Sequence, residues 1–274
     1  MSKSVSTSKS TTDIDWQEYA RFAELLTAAA GREILPYFRT RPGMDNKLES
    51  GFDPVTAADR GAERAMRGLI ESTFPDHGIV GEEYGDRPAR SPFTWILDPV
   101  DGTRSFVCGM TSWATLVGLT YEDRPMVGVM HQPYIGETFV GTPGASFLNH
   151  AGRSTRLKAS STASLPEAIA TTTAPHLYRS EPQQRFLAAL NSAVRFMRYD
   201  GDSYFFCMLA AGQIDVAVDA GLQSYDIAAL IPIIEGAGGI VATWDGGTAV
   251  HGGDILAAAN RDLFDQASAL LAES

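Results

Sequence analysis

The chain is short of cysteine, of long apolar runs and of basic charge, and each shortage removes a class of function. Two cysteines among 274 residues, Cys108 and Cys207, are too few for a disulfide framework or a cysteine-built zinc site. Neither has a base partner visible in the sequence, so both read as small apolar packing. No stretch approaches the roughly 20 apolar residues that span a bilayer, and the start of the chain carries no signal-peptide core. A soluble cytoplasmic protein without membrane partners is the expectation. The formal net charge of -11 argues against a nucleic-acid backbone or an anionic membrane surface as partner. It leaves small anionic ligands open, because a bound cation reverses a local field. The five histidines, His77, His131, His150, His176 and His251, form no ligand-spaced cluster and read as core or surface residues.

What remains is a chain with 44% hydrophobic residues, enough for a substantial core. "MSKSVSTSKSTT" (1–12) is polar and reads as a disordered tail. Apolar residues at helical spacing predict a helix over 13–38 that ends or kinks near Pro36. A second helix is expected over 56–73, with Thr56 as N-cap and Asp59 in a capping-box-like position. "HGIVGEEYG" (77–85) reads as a short buried strand ending at an acidic pair. Three strands follow over 113–121, 126–132 and 137–141. Beyond about residue 159, strands and helices alternate, with one helix over 225–237 interrupted in sequence by Pro232 and a terminal helix from Asp262. An α/β (α+β) layered sandwich in two subdomains, 13–158 and 159–274, is expected, with the site in the cleft between them. Gly43 and Gly51 place a candidate closing loop over 40–52.

"WILDPVDGTRSF" (95–106) ends an apolar strand with Asp98 and Asp101, then a glycine and two hydroxyl residues. Two carboxylates at one strand end repel unless something lies between them, and hard oxygen ligands suit Mg²⁺ or Mn²⁺ rather than zinc. The Pro99-Val100 spacer would turn both aspartates toward one site and leave the Val100 carbonyl as a further oxygen. The Gly102 and Thr103 N–H groups would cradle an anion if a helix starts there. Asp59, Glu82 and Asp226 also sit at element edges. Taken singly, each acidic residue is as well explained by a cap, an ion pair or a solvated charge; Asp226, for one, would complement a helix dipole.

Together, "DPVTAAD" (53–59), "GEE" (81–83), "WILDPVDGT" (95–103) and "SYDIAALIPIIEGAGG" (224–239) resemble, in order and interval, the sequence blocks of the inositol monophosphatase superfamily. The similarity extends over about 14–273. The resemblance implies alternating α/β/α/β/α layers, a homodimer, and two or three Mg²⁺ ions on Glu82, Asp98, Asp101, Asp226 and the Val100 carbonyl. It further implies that Asp59 and Thr103 orient the attacking water, making Asp59, Glu82 and Thr103 the catalytic set. Gly102 and Thr103 would hold the phosphate. Tyr225 stands where many members carry tryptophan, and the ligand after it is kept.

Within that superfamily, "DGTRSF" (101–106), "HQPYIGETF" (131–139), "ATTTAPHLY" (170–178) and the run over 198–226 resemble the histidinol-phosphate phosphatases. Asp202 and Asp219 should then lie near the pocket rim, where carboxylates favour an ammonium and an imidazole over a neutral polyol. The alternative is that Asp202 caps a helix and Asp219 ends a strand facing solvent. Arg104 would pair with phosphate or reach a surface carboxylate. The expected activity is hydrolysis of L-histidinol phosphate. Rival substrates are inositol phosphate, fructose bisphosphate and a 3′-phosphonucleotide, and a non-catalytic metal or phosphate sensor is the rival from another class.

Overall fold

The computed structural model describes residues 14–40, 44–46 and 54–272. The 1–12 tail and most of the 40–52 loop lie outside them. Asp15 caps the first helix, α1 (Trp16–Ile34), by accepting from Gln17 and Glu18 N–H groups. Pro36 enters a single 3₁₀ turn, Leu35–Tyr37, so the helix ends there as expected. Two short strands, β1 (Met44–Asn46) and β2 (Pro54–Thr56), pair with each other. They lead into α2 (Ala57–Thr73). Thr56 closes β2, and a cap by its side chain lies outside what is described.

A seven-stranded sheet follows in sequential order: β3 (Gly78–Gly81), β4 (Phe93–Asp101), β5 (Ala114–Tyr121), β6 (Arg124–Gln132), β7 (Glu137–Thr142), β8 (Ala145–His150) and β9 (Arg153–Arg156). Only β3 and β4 run parallel. The one-turn helix α3 (Thr103–Val107) leaves the end of β4. The later elements are β10 (Ile169–Thr171), α4 (Glu181–Ala193), β11 (Phe196–Arg198), α5 (Asp202–Ala210), β12 (Val216–Leu222), α6 (Ser224–Ile227), α7 (Leu230–Gly236), β13 (Ile240–Thr243), β14 (Gly253–Ala258) and α8 (Arg261–Ala272). Their strands form a second sheet ordered β11-β10-β12-β14-β13.

Three buried clusters define five layers. Ala23, Leu26, Met66 and Ile70 of α1 and α2 pack on Val117, Leu119, Val127 and Val129 of the first sheet. The opposite face of that sheet, through Leu116, Met130 and Phe139, shares a core with α5 to α7 and with Ala217 and Ala257 of the second sheet. Val216, Val218, Leu256 and Ala258 point the other way, onto α4 and α8. Neighbouring strand residues thus feed different cores, which is the period-2 consequence of a sheet buried on both faces. The order is α/β/α/β/α, an α/β layered sandwich as expected. Among the described residues no helix is long and apolar enough to cross a membrane.

The expected helix over 225–237 is instead two helices, α6 and α7. Pro232 lacks the N–H that would bond Ala228, and its ring crowds that carbonyl, so the chain breaks at Ala228-Ala229. The broken helix lies very close to the first sheet. Gly118, Gly128 and Gly141 form a row across β5, β6 and β7. A Cβ on Gly128 would collide with the Ala229 carbonyl, and one on Gly141 with the Ile233 backbone. The missing side chains let helix backbone rest directly on strand backbone, and this seating carries Asp226 to the end of β4.

Candidate active site

In a regular strand, residues three apart point to opposite faces. Asp98 and Asp101 do not. Asp98 pairs with Leu116 and Asp101 with Ala114, so β4 holds one residue more than β5 between them, a β-bulge. The bulge also explains how Pro99 occupies a central strand without leaving a ladder bond unmade. Thr115 Oγ1 secures it by donating to the Pro99 carbonyl at 2.8 Å, and Thr103 Oγ1 donates to the Val100 carbonyl at 3.2 Å. The Val100 side chain is fully buried and anchors the turn. The aspartates of WILDPVDGTRSF therefore share one side because the strand is irregular where they stand.

One carboxylate oxygen each from Asp98, Asp101 and Asp226 lies within 4.8 Å of the others. Asp98 is buried, and its Oδ1 has no hydrogen-bond partner among the described residues. Burial pushes the Asp98 carboxyl well above its ordinary range, and Glu82, Asp101, Asp226 and Asp59 push it further. Asp101 is raised by burial and by Asp202 and Asp226, against a 2.9 Å hydrogen bond from the Ser203 N–H. Burial lifts Asp226 to about 6, although it accepts from the Gln223 N–H and meets the Asp98 carboxyl. So many crowded carboxylates hold protons unless a cation replaces them. An orphaned acceptor oxygen inside an all-oxygen donor set fits a hard divalent ion.

Asp59, the third residue of α2, is buried, and Glu82, the residue after β3, is half-buried. Both are near enough to raise Asp98, while Asp98, Asp101 and Asp226 are the three that, among the described residues, meet within 4.8 Å. Gly102 precedes α3 with φ +75°, a left-handed backbone that glycine adopts without strain. A Cβ there would also press on the Asp202 carboxylate, 2.8 Å from Oδ2.

A cleft of about 370 Å³ opens beside these groups, lined among others by Asp101, Arg104, Asp202, Asp219 and Asp226. Asp202 does begin α5, and its Oδ2 accepts from Ser105 Oγ at 2.6 Å, with Ser112 donating in turn to Ser105 at 2.9 Å. Burial raises its carboxyl, with the Ser105 hydrogen bond and Arg104 opposing. Asp219 lies deeper than a rim position: it is 2% exposed, and both its oxygens are engaged at 2.8 Å, Oδ1 by Thr172 Oγ1 and Thr173 N and Oδ2 by Thr173 Oγ1. Burial raises it to about 6. It too stands at a bulge, between Asp219 and Leu222 of β12. Arg104 is exposed at the cleft, 3.3 Å from His176 Nε2 and close enough to Asp202 to favour its charge, rather than on a remote surface carboxylate.

Sequence reasoning assigned no role to Ser105, Ser112, Thr115, Thr172, Thr173 or Ser203. Ser105 lies in the motif itself and Ser203 follows Asp202, so adjacency was their signal. Thr115 reaches Pro99 across 16 residues, and nothing in its own neighbourhood marks it. His77 is a core residue, its ring stacked 4.6 Å from Phe74 and 4.7 Å from Phe93, with Nδ1 accepting from Trp95.

The sequence model of the inositol monophosphatase family matches residues 15–274. The chain belongs to the inositol monophosphatase family. It is a phosphatase of that family, similar to the chloroplastic bifunctional phosphatase of Arabidopsis thaliana at 36% identity over 85% of this chain. The chain spans only 66% of that relative's length. It is 32% identical to a histidinol-phosphatase of Chlorobaculum parvum, covering 86% of this chain and 89% of that protein. The fold matches that of an inositol monophosphatase from Zymomonas mobilis with a TM-score of 0.84 and 34% identity, covering 94% and 99% of the two chains.

Proposed function

We propose that this family member is a Mg²⁺-dependent phosphomonoesterase that converts L-histidinol phosphate to L-histidinol and phosphate, with Mn²⁺ able to substitute. The observation that carries the reading is the carboxylate cluster of Asp98, Asp101 and Asp226, with its orphaned Asp98 oxygen, opening on a cleft that bears two further carboxylates. Glu82, Asp98, Asp101, Asp226 and the Val100 carbonyl would hold two or three divalent ions. Those ions, when bound, supply activation of water and stabilisation of the leaving oxygen. Asp59 and Thr103 orient the attacking water, Thr103 being fixed by its bond to Val100. The Gly102 and Thr103 N–H groups hold the phosphate, with Arg104 beside them. Attack in line by water needs no covalent phosphoenzyme. The protein would act as a homodimer, which sedimentation would read as twice the 29.5 kDa chain mass.

Substrate choice follows from charge. With cations neutralising Asp98, Asp101 and Asp226, Asp202 and Asp219 leave the cleft negative, which favours an ammonium and an imidazole over a polyol. A second reading has its own observation. Asp219 already accepts three hydrogen bonds from Thr172 and Thr173, which spread its charge and leave it able to accept from a substrate hydroxyl. That arrangement suits inositol 1-phosphate.

Phosphate release from histidinol phosphate, inositol 1-phosphate, fructose 1,6-bisphosphate and 3′-phosphoadenosine 5′-phosphate, each with Mg²⁺ and with chelator, tests the reading. The expected result is Mg²⁺-dependent turnover, fastest with histidinol phosphate. Preference for another ester discards the charge argument and keeps the metal chemistry. Metal binding without turnover on any ester would support a sensor.

A further inference from the structure

Helix α2 carries more than Asp59. One turn on, the Glu63 side chain is 0% exposed, a costly place for a carboxylate unless it is paired and hydrogen-bonded. Its partners converge on one short stretch of backbone. Oε2 accepts from the Glu83 N–H at 2.8 Å, and Oε1 from the Tyr84 N–H at 3.2 Å and from Arg67 Nε at 2.7 Å. Arg67 closes the ring by donating through Nη2 to the Tyr84 carbonyl at 2.6 Å. Around it, Arg64 donates to the Tyr84 hydroxyl at 3.0 Å, that hydroxyl donates to the Arg60 carbonyl at 3.3 Å, and Arg60 pairs with Glu83 at 3.5 Å.

The last pair of the β3–β4 ladder is Gly81 with Leu97. Residues 82–84 therefore lie beyond the sheet's own hydrogen bonds, and α2 fixes them instead. Gly81 fits the same arrangement: a Cβ there would collide with the Glu63 carboxylate and sit 2.7 Å from Arg67 Nη2. Asp59 and Glu63 are four residues apart on one helix face.

We infer that Glu63, braced by Arg67, is a positioning residue that fixes the backbone of residues 82–84 and so holds the Glu82 carboxylate toward Asp98. The inference rests on the reading of Glu82 as a metal ligand. Glu63 touches neither substrate nor ion; it acts through two backbone N–H groups. A carboxylate on an unbraced bend would lose conformational freedom on every binding event, whereas one held in place has lost it on folding. The same helix then sets both Asp59 and Glu82, so their spacing is fixed by a single rigid part.

The test is Mn²⁺ affinity of metal-free protein, read by electron paramagnetic resonance, for the wild type, Glu63→Gln, Arg67→Lys and Glu82→Gln. Substituting a partner behind a metal ligand typically costs about 10- to 100-fold in affinity. That loss is expected for Glu63→Gln, with a smaller loss of the same sign for Arg67→Lys, which keeps the charge and loses the forked donation. KM for the phosphate ester at saturating Mg²⁺ should stay near the wild-type value in both, a separation that general loosening of the fold would not give. Folding of each metal-free variant is checked by its melting temperature; if Glu63→Gln does not fold, Arg67→Lys decides. Wild-type Mn²⁺ affinity in the folded variants, with Glu82→Gln weakened, overturns the positioning role and leaves the ligand reading standing. Wild-type affinity in Glu82→Gln overturns the ligand reading itself.

Discussion

At the residue scale the site is a problem in crowded negative charge. Asp98 is buried, has an oxygen without a partner among the described residues and is pushed upward by four neighbouring carboxylates. Asp98→Asn keeps the shape and removes a charge that a divalent ion needs. Turnover should fall by more than about 100-fold, since losing even an indirect partner of a metal costs up to that much; steady-state phosphate release at several Mg²⁺ concentrations measures it. Protons and cations also compete for these groups. Asp219 and Asp226 are raised to about 6 from an ordinary 3.8, so the folded protein binds more protons than the unfolded chain between those values. Stability from these two groups is therefore fully present below about 4 and lost as pH rises through about 6. A divalent ion at the cluster relieves the Asp226 part of that loss, and only where the carboxylates are ionised. The rise in melting temperature on adding Mg²⁺ should be small at pH 5 and large at pH 7.5. His77, held near 4 by burial, acts with the opposite sign, but it lies in the aromatic core and is common to both metal states, so it cancels in the difference. A Mg²⁺ shift that does not grow with pH would contradict the assignment of the cluster.

At the scale of elements, irregularities place the functional groups. Bulges stand at Asp98–Asp101 and at Asp219–Leu222, and a break at Ala228-Ala229 lets α6 present Asp226. The glycine row under α6 and α7 makes a specific demand. Gly128→Ala would drive a methyl group into the Ala229 carbonyl, and overpacking of this kind costs about 1–3 kcal/mol. The melting temperature should drop by roughly 2–8 °C, with weaker Mn²⁺ binding because Asp226 moves with its helix; calorimetry and a metal titration check the two parts. Helical spacing of apolar residues made α1 legible, and short apolar runs between turn residues made β5, β6 and β7 legible although β5 is buried on both faces. Neither gave a sign of β8 and β9: Arg153–Arg156 is exposed along its whole length, so no apolar alternation marks it. Asp98 and Asp101 stood out by their spacing, and the set of five acidic positions was singled out through the family resemblance. What spacing could not show was why they meet, since a bulge is a count of residues on two strands and Thr115 supports it from 16 residues away. The setting of Asp202 was hidden for a similar reason. Its backbone is left-handed, φ +44°, a conformation that aspartate tolerates without any local sequence mark.

At the scale of the whole molecule, five layers bring the acidic groups of the cleft together from both sheets and from the helices between them. Glu82, Asp98 and Asp101 come from the end of the first sheet, Asp219 from the second, and Asp202 and Asp226 from helices between them. On the proposed reading, chemistry and specificity are separable by residue: Glu82, Asp98, Asp101 and Asp226 would supply what any phosphate ester needs, and Asp202 and Asp219 the charge that selects the rest of the substrate. The measurement that tests this most directly is the ratio of kcat/KM for histidinol phosphate to that for inositol 1-phosphate, at saturating Mg²⁺, in the wild type and in Asp202→Asn. The account predicts a ratio well above one that falls about tenfold or more in the variant, a charge-assisted contact of about 1.5–3 kcal/mol having been lost, with the inositol phosphate reaction little changed. A ratio below one in the wild type, or equal loss on both substrates in Asp202→Asn, would contradict it.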